Sequence, residues 1–479
     1  MSQQVLQADS TGGCRLAYNG PVQRINRFLD SPWFVALVCL LTVVSNLFGA
    51  DLIVYSVFIV FAIYIALLGT DFLPLMVLVI CCYLSPSVQN NPGRNSGSIF
   101  FPQNGGIYLL GLFLIFFISA LFRLITDKEL GGKAFLKRRR KLLPGMLLLG
   151  GAYLLGGAFS GRYFARGIMA PVFALLQFVS IAGLYWFFAG AVRWERVRRD
   201  YFAWVGLGVG LAVCCEAIGI YAINDVIING GFEVRNIYTG WGNKNNVGCI
   251  IAMMIPFGLS LVRREKWGWV FNVITMLMLV ALCFTCSRTS IFFAIVIYAV
   301  TVAFMLRDKK WRKKVLLNVG ISAGAVLLLL LILFHGHILK IISKFWNWDF
   351  DSVGDRFEDY QKGLESFWAH PIFGETFYPS KSIYEWSTVE SFKAILPARW
   401  HNTVIQLLTS CGIVGLVAYS CHRMQTIRLF WRKRRTEVLF IGMSLACLLL
   451  MSLLDCHFFN IGPTLFYSMG LAFAEKSEE

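Results

Sequence analysis

"ARWHNTVIQLLTSCGIVG", Ala398 to Gly415, opens as a polar knot and closes as an apolar helix, with His401 and Asn402 at the point of change. Its second half reads as the entry to a membrane span. Working outward, the same change from polar mouth to apolar run recurs along the whole chain. About fourteen apolar runs of roughly 16–22 residues occur, each long enough to cross about 30 Å of hydrocarbon. They fall near 32–50, 51–69, 71–86, 106–125, 142–160, 169–191, 201–222, 247–262, 267–286, 290–306, 315–335, 401–420, 437–455 and 461–474. The fold expected is an all-α polytopic membrane protein of about 12–14 transmembrane helices, with a large extracytoplasmic loop that contains an amphipathic helix.

Composition agrees. Of 479 residues, 57% are hydrophobic and 15% charged, which excludes an average soluble domain. The 41 Phe and 14 Trp suit lipid-facing and interfacial surfaces. Met1 to Asp30 is polar and the first apolar run starts near Trp33, so an uncleaved anchor is expected rather than a signal peptide. Most of the 13 cysteines, such as Cys39, Cys81, Cys214, Cys249 and Cys447, lie in apolar runs and behave as small hydrophobes. No metal-ligand spacing occurs in a polar segment, so neither disulfide nor zinc is expected.

The net charge of +17 raises nucleic acid as a partner. Its distribution argues against one. Alternating the loops puts "RRRK" (Arg138–Lys141), "RWERVRR" (Arg193–Arg199), "RREK", "RDKKWRKK" and "RLFWRKRR" on one side, as the positive-inside rule requires of cytoplasmic loops. Both termini are then cytoplasmic. The resulting division is a cytoplasmic segment 1–31, helices in 32–335, an extracytoplasmic catalytic loop 336–400, C-terminal spans in 401–474 and a tail 475–479.

The chain has no internal repeat and no low-complexity linker. Two connections are long, Ala222–Asn246 and the loop of about 65 residues before Trp400, and long loops in compact proteins are usually functional. Within the second, Val353, Phe357, Tyr360, Leu364 and Phe367 recur at helical spacing, which predicts an amphipathic helix along the membrane surface or over a cavity. Asp351 or Ser352 can cap its start, and Pro371 with Gly374 closes it. Asp355, Glu358, Asp359, Lys362 and Glu365 form the opposite face, and Arg356 sits at the edge of the apolar one.

Three places put strong polar groups at the outer edge of apolar helices. Arg288 in "CSRTS" must sit at or just inside the outer boundary, where an unpaired charge is costly. Arg356 is the second and the His401–Asn402 mouth the third. Arg399 and Trp400 read as interfacial anchors, and Arg399 is also a substrate-binding candidate. Two guanidiniums can hold a diphosphate through bidentate, charge-assisted hydrogen bonds. An imidazole can take a proton at neutral pH. A lipid-linked sugar diphosphate needs both functions and no metal.

The stretch His401-Asn402, nine residues, then Gly412-x-x-Gly415 resembles the signature of the O-antigen ligase superfamily, which includes O-antigen ligases, O-antigen and exopolysaccharide polymerases and protein O-oligosaccharyltransferases. "SRTS" (Ser287–Ser290) resembles the family's arginine motif. "DRFEDYQKGLESFWAHPIFG" (Asp355–Gly374) resembles its R-x(n)-W/F-x(n)-P-x-x-G segment, and "GWGNKNNVGCIIAMMIPF" (Gly240–Phe257) its Asn-rich span entry. The resemblance covers roughly 235–420. It implies transfer of a glycan from undecaprenyl diphosphate to a glycan or lipid acceptor on the outer face of the bacterial cytoplasmic membrane, with no cofactor. Carried over, Arg288 and Arg356 bind the diphosphate, His401 orients or deprotonates the acceptor and Asn402 positions it. Asn243, Asn245 and Asn246 line the glycan path, and Gly412 and Gly415 allow close helix packing. Ligase and polymerase share the donor and differ in acceptor, so both stay open.

The rival from another class is a lipid-linked oligosaccharide flippase or other transporter. That predicts two similar halves and broken helices near the midplane. The halves are not similar, and the polar constellation gathers at the outer surface.

Overall fold

The computed structural model describes residues 20–82, 106–161, 169–222, 238–239, 242–264, 267–285, 287–309, 311–326, 328, 351–377, 400–432 and 436–476. The architecture is an all-α polytopic membrane fold. Seven described helices are long and apolar enough to cross a membrane: Asp51–Leu68, Ile107–Thr126, Ala170–Ala191, Tyr201–Ile220, Lys244–Arg263, Arg288–Arg307 and Thr403–Arg432. Pro21–Leu29 and Pro32–Phe48 make an eighth if the pair, bent by 69°, is one span. Leu143–Leu154, Gly268–Phe284 and Glu437–Met451 are apolar but shorter.

The gap from about fourteen runs has identifiable causes. In the 71–86 run the described residues hold the helix Leu75–Cys82 and end there, and part of the 315–335 run likewise lies outside the described residues. Nor is the N-terminal segment without structure, since Pro21 to Leu29 is helical and shows Val22, Ile25 and Phe28 on its surface beside Arg24 and Arg27. A two-residue antiparallel ladder pairs Tyr238–Thr239 with Gly242–Asn243 just ahead of Lys244.

The central post is Lys244–Arg264, whose most apolar window is 89% buried, against 11% for Ile107–Thr126 at the lipid-facing edge. Around the post pack Tyr201–Tyr221, Gly268–Phe284, Arg288–Arg307 and Thr436–Met451. The last helix, Ile461–Lys476, is buried from Gly462 to Lys476. It lies against Met169–Ala191, which opens into a π turn at Val179–Gly183. There the Ser468 hydroxyl donates to the Ser180 carbonyl at 2.5 Å, so a carbonyl released from the α ladder is satisfied by a neighbouring helix.

At one end of the bundle, arginines close helix C-termini. Arg123 donates to the carbonyls of Ile65, Gly69 and Thr70, and Arg138 to those of Gly190 and Val192. These carbonyls lie at or just past the helix ends, that of Ile65 also accepting from the Gly69 amide at 3.1 Å, so Arg138, read as a topology signal, also serves as a cap.

At the opposite end, Asp351–Ala369 packs along the first turns of Thr403–Arg432. Its contact with the bundle centres on Gly363. Gly363 is buried against Ile405 and Trp400, and Tyr360 and Phe367 are half-buried, while Phe357 is 67% exposed and Leu364 40%. The helices approach through a residue with no side chain, which a count of apolar side chains passes over. The side chains of 351–353 and 355 lie outside the described residues.

The exit of this helix fits into a break in the other. Gly412 interrupts Thr403–Arg432 at φ 63°, ψ −157°, a conformation essentially restricted to glycine. Into that gap Pro371 and Ile372 present carbonyls to the Ile413 and Val414 amides, at 2.9 and 3.2 Å. The Glu375 amide donates to the Thr409 carbonyl at 2.8 Å, and Gly374 turns at φ 74° against Ser410 and Cys411. Pro-x-x-Gly and Gly-x-x-Gly are thus two halves of one joint, which fixes the Arg356-bearing helix relative to the His401-bearing one.

Candidate active site

His401 lies just before the helix Thr403–Arg432. It is the only non-glycine residue with positive φ, 49°, among the described residues, a conformation that costs about 1–3 kcal/mol and clusters at functional sites. The strained turn aims its Nδ1 at Asp455 Oδ1, 3.4 Å away, with the imidazole about one-third exposed and the carboxylate buried. The Tyr360 hydroxyl donates to the His401 carbonyl at 3.2 Å. Burial raises the Tyr360 phenol above its ordinary range, an effect the Arg356 charge partly opposes and Asp455 reinforces.

Asn402 is occupied as the helix cap. Its Oδ1 accepts from the Val404 and Ile405 amides at 2.8 and 3.2 Å, and its Nδ2 donates to the Leu453 carbonyl at 2.9 Å. This arrangement favours a structural role over the acceptor-positioning role expected from the sequence. Asn402→Ala is expected to lower stability by about 1 kcal/mol and Asn402→Asp to keep most of it. Thermal melts of the detergent-solubilised variants check this, and equal melting of Ala and wild type would contradict it.

The hub of the site is the turn Leu453–Asn460, "LLDCHFFN", between the last two helices. Arg356 Nη1 donates to its Leu454 carbonyl at 3.2 Å, one residue before Asp455. Asp455 Oδ2 accepts from Asn245 Nδ2 at 2.9 Å, and Asn245 Oδ1 accepts from the Ser287 hydroxyl at 3.1 Å. Ser287 directly precedes Arg288, which opens the helix Arg288–Arg307 and is half-buried. Asn246 Oδ1 takes Asn460 Nδ2 and lies 3.3 Å from His457 Nδ1. Below the turn, Phe458 covers the guanidinium of buried Arg423, 4.2 Å from the ring centroid.

Of the residues expected from the sequence, the structure gathers Arg356, His401, Asn402, Asn245 and Asn246 on this turn and brings Ser287, next to Arg288, into the same network. Asn243 contributes backbone to the short ladder, but its side chain lies outside the described residues, as does all of Arg399. Sequence reasoning missed Asp455 and His457. The signal was available: "DCH" between two apolar runs repeats the pattern that drew attention to His401. Among the described residues, no group of three or more His, Cys, Asp or Glu could hold a metal ion.

Residues 273–420 match the family model described as O-antigen ligase. That segment is similar to the O-antigen ligase family. No curated protein matches the chain. The O-antigen ligase match, just under a third of the sequence, supplies Arg288, Arg356, His401 and the whole glycine joint. Asn245 and Asp455 lie outside it, before and after the matched segment, so His401 takes its acid partner from a turn beyond the match.

Proposed function

We propose that the protein transfers a glycan from an undecaprenyl-diphosphate-linked donor to a glycan or lipid acceptor at the outer face of the cytoplasmic membrane, in surface-polysaccharide biosynthesis. Both termini lie on the inner side. The observation that carries this reading is the pairing of His401 with Asp455 on the turn that also holds Arg356. An imidazole backed by a carboxylate can accept a proton and stabilise the resulting imidazolium.

In the step proposed, the acceptor hydroxyl oxygen attacks the anomeric carbon of the donor sugar. The bond from that carbon to the diphosphate oxygen breaks, and undecaprenyl diphosphate leaves with the electron pair. The hydroxyl proton passes to His401 Nε2, the nitrogen that does not face Asp455. Arg288 and Arg356 hold the charge that grows on the leaving diphosphate, a role guanidinium forks fill without a metal. The arginine motif, the joint that fixes Arg356 and the family match support this assignment.

Arg288→Lys and Arg356→Lys keep the charge and lose the planar fork. Each is expected to lower transfer by about 10–100-fold. Transfer by purified protein from a lipid-diphosphate glycan checks this, and normal rates in both variants would remove the diphosphate clamp.

A further inference from the structure

We propose that Gln406 sets the spacing of the His401–Asp455 pair, acting as a positioning residue for the transfer reaction; this rests on the reading above. Gln406 lies one turn into the helix and is fully buried. A buried amide must satisfy its polar atoms, and what satisfies them here is specific. Its Oε1 accepts from the Trp400 backbone amide at 3.2 Å and from the Cys456 thiol at 3.5 Å. Its Nε2 donates to the Ser410 hydroxyl at 3.2 Å.

Trp400 directly precedes His401, and Cys456 directly follows Asp455. A single oxygen therefore ties together the flanks of both members of the pair. The tie matters because the pair does not hold itself: 3.4 Å between Nδ1 and Oδ1 is longer than a charge-assisted hydrogen bond. The separation is set by the backbone on each side. On the His401 side that backbone is in a strained conformation that its surroundings must impose. Thr403 adds a parallel link, its amide donating to the Ser452 carbonyl at 2.9 Å and its hydroxyl to the Asp455 carbonyl at 3.4 Å. Thr403 holds its own segment to Ser452 and Asp455, whereas Gln406 reaches both residues that flank the pair.

Two substitutions separate this role from plain packing. Gln406→Met keeps the volume and removes the acceptor. Gln406→Glu, neutral at a buried position, keeps an acceptor for Trp400 and Cys456 and a donor for Ser410. The full-length protein in membranes is treated with a maleimide, and Cys456 labelling is read by peptide mass spectrometry alongside kcat and KM for transfer. Gln406→Met is expected to raise the Cys456 labelling rate and to lower kcat about tenfold with KM within about twofold. It is expected to add nothing in an Asp455→Ala background. Gln406→Glu is expected to restore both readouts. The inference is overturned if kcat is unchanged in Gln406→Met, whether or not Cys456 becomes reactive, or if its loss adds in full to that of Asp455→Ala. Cys456 labelling needs no glycan donor, so a failure of the Gln406 tie stays distinguishable from a failure of the transferase reading.

Discussion

Replacing His401 with Ala is expected to lower glycan transfer by about 10²–10⁴-fold, and replacing Asp455 with Asn by about 10²-fold. The two effects have one origin. Asp455 is buried and receives hydrogen bonds from Asn245 at 2.9 Å and from the Cys456 amide at 2.7 Å, so its carboxylate is held in place beside His401. The side-chain amide introduced by Asp455→Asn would fill the same space and could still accept from Asn245. It would carry no charge to stabilise an imidazolium, and its NH2 could face Nδ1 and favour the wrong tautomer. The decisive comparison is the rate of transfer by purified wild type and Asp455→Asn at saturating donor, where full activity of the variant would separate the carboxylate from the chemistry. Because Asp455 lies outside the O-antigen ligase match, this result bears on the geometry and not on the resemblance.

Gly412→Ala is expected to cost about 2–4 kcal/mol of stability and to disable transfer. Two penalties combine. The backbone at φ 63°, ψ −157° is closed to residues with a Cβ, and the added carbon would collide with the Ile372 carbonyl and lie 2.6 Å from that of Pro371. Relief requires the Pro371–Gly374 segment to leave the break, which forfeits its bonds to the Ile413 and Val414 amides. The Arg356 helix would then lose its anchor. Gly415→Ala would bring its added carbon against Cys411 Cβ and 3.5 Å from the Leu407 carbonyl, but on a backbone without positive φ, and is expected to be milder. Melting curves of the two variants in detergent decide the point, and equal melting of Gly412→Ala and wild type would contradict the joint.

These cases show what was legible in the residues. Apolar runs announce a polytopic α fold because the bilayer permits little else. His401 was visible because an imidazole at a span mouth is out of place. Asp455 was not, because it closes a run already counted as a span and its partner lies 54 residues earlier in the chain. The Gly-x-x-Gly pair was read as packing. The structure gives Gly412 a sharper role because backbone conformation leaves no trace in a hydropathy pattern. The amphipathic helix is legible from its spacing, whereas its contact through Gly363 is not, because that residue has no side chain to count.

If His401 carries out transfer from a lipid diphosphate, mass spectrometry of undecaprenyl-linked glycans from cells with wild-type protein or His401→Ala will show lipid-linked donor accumulating in the variant. Single repeat units where wild type shows a ladder would mark a polymerase, and full-length lipid-linked polymer a ligase. Glycan pools identical in level and length would contradict the account.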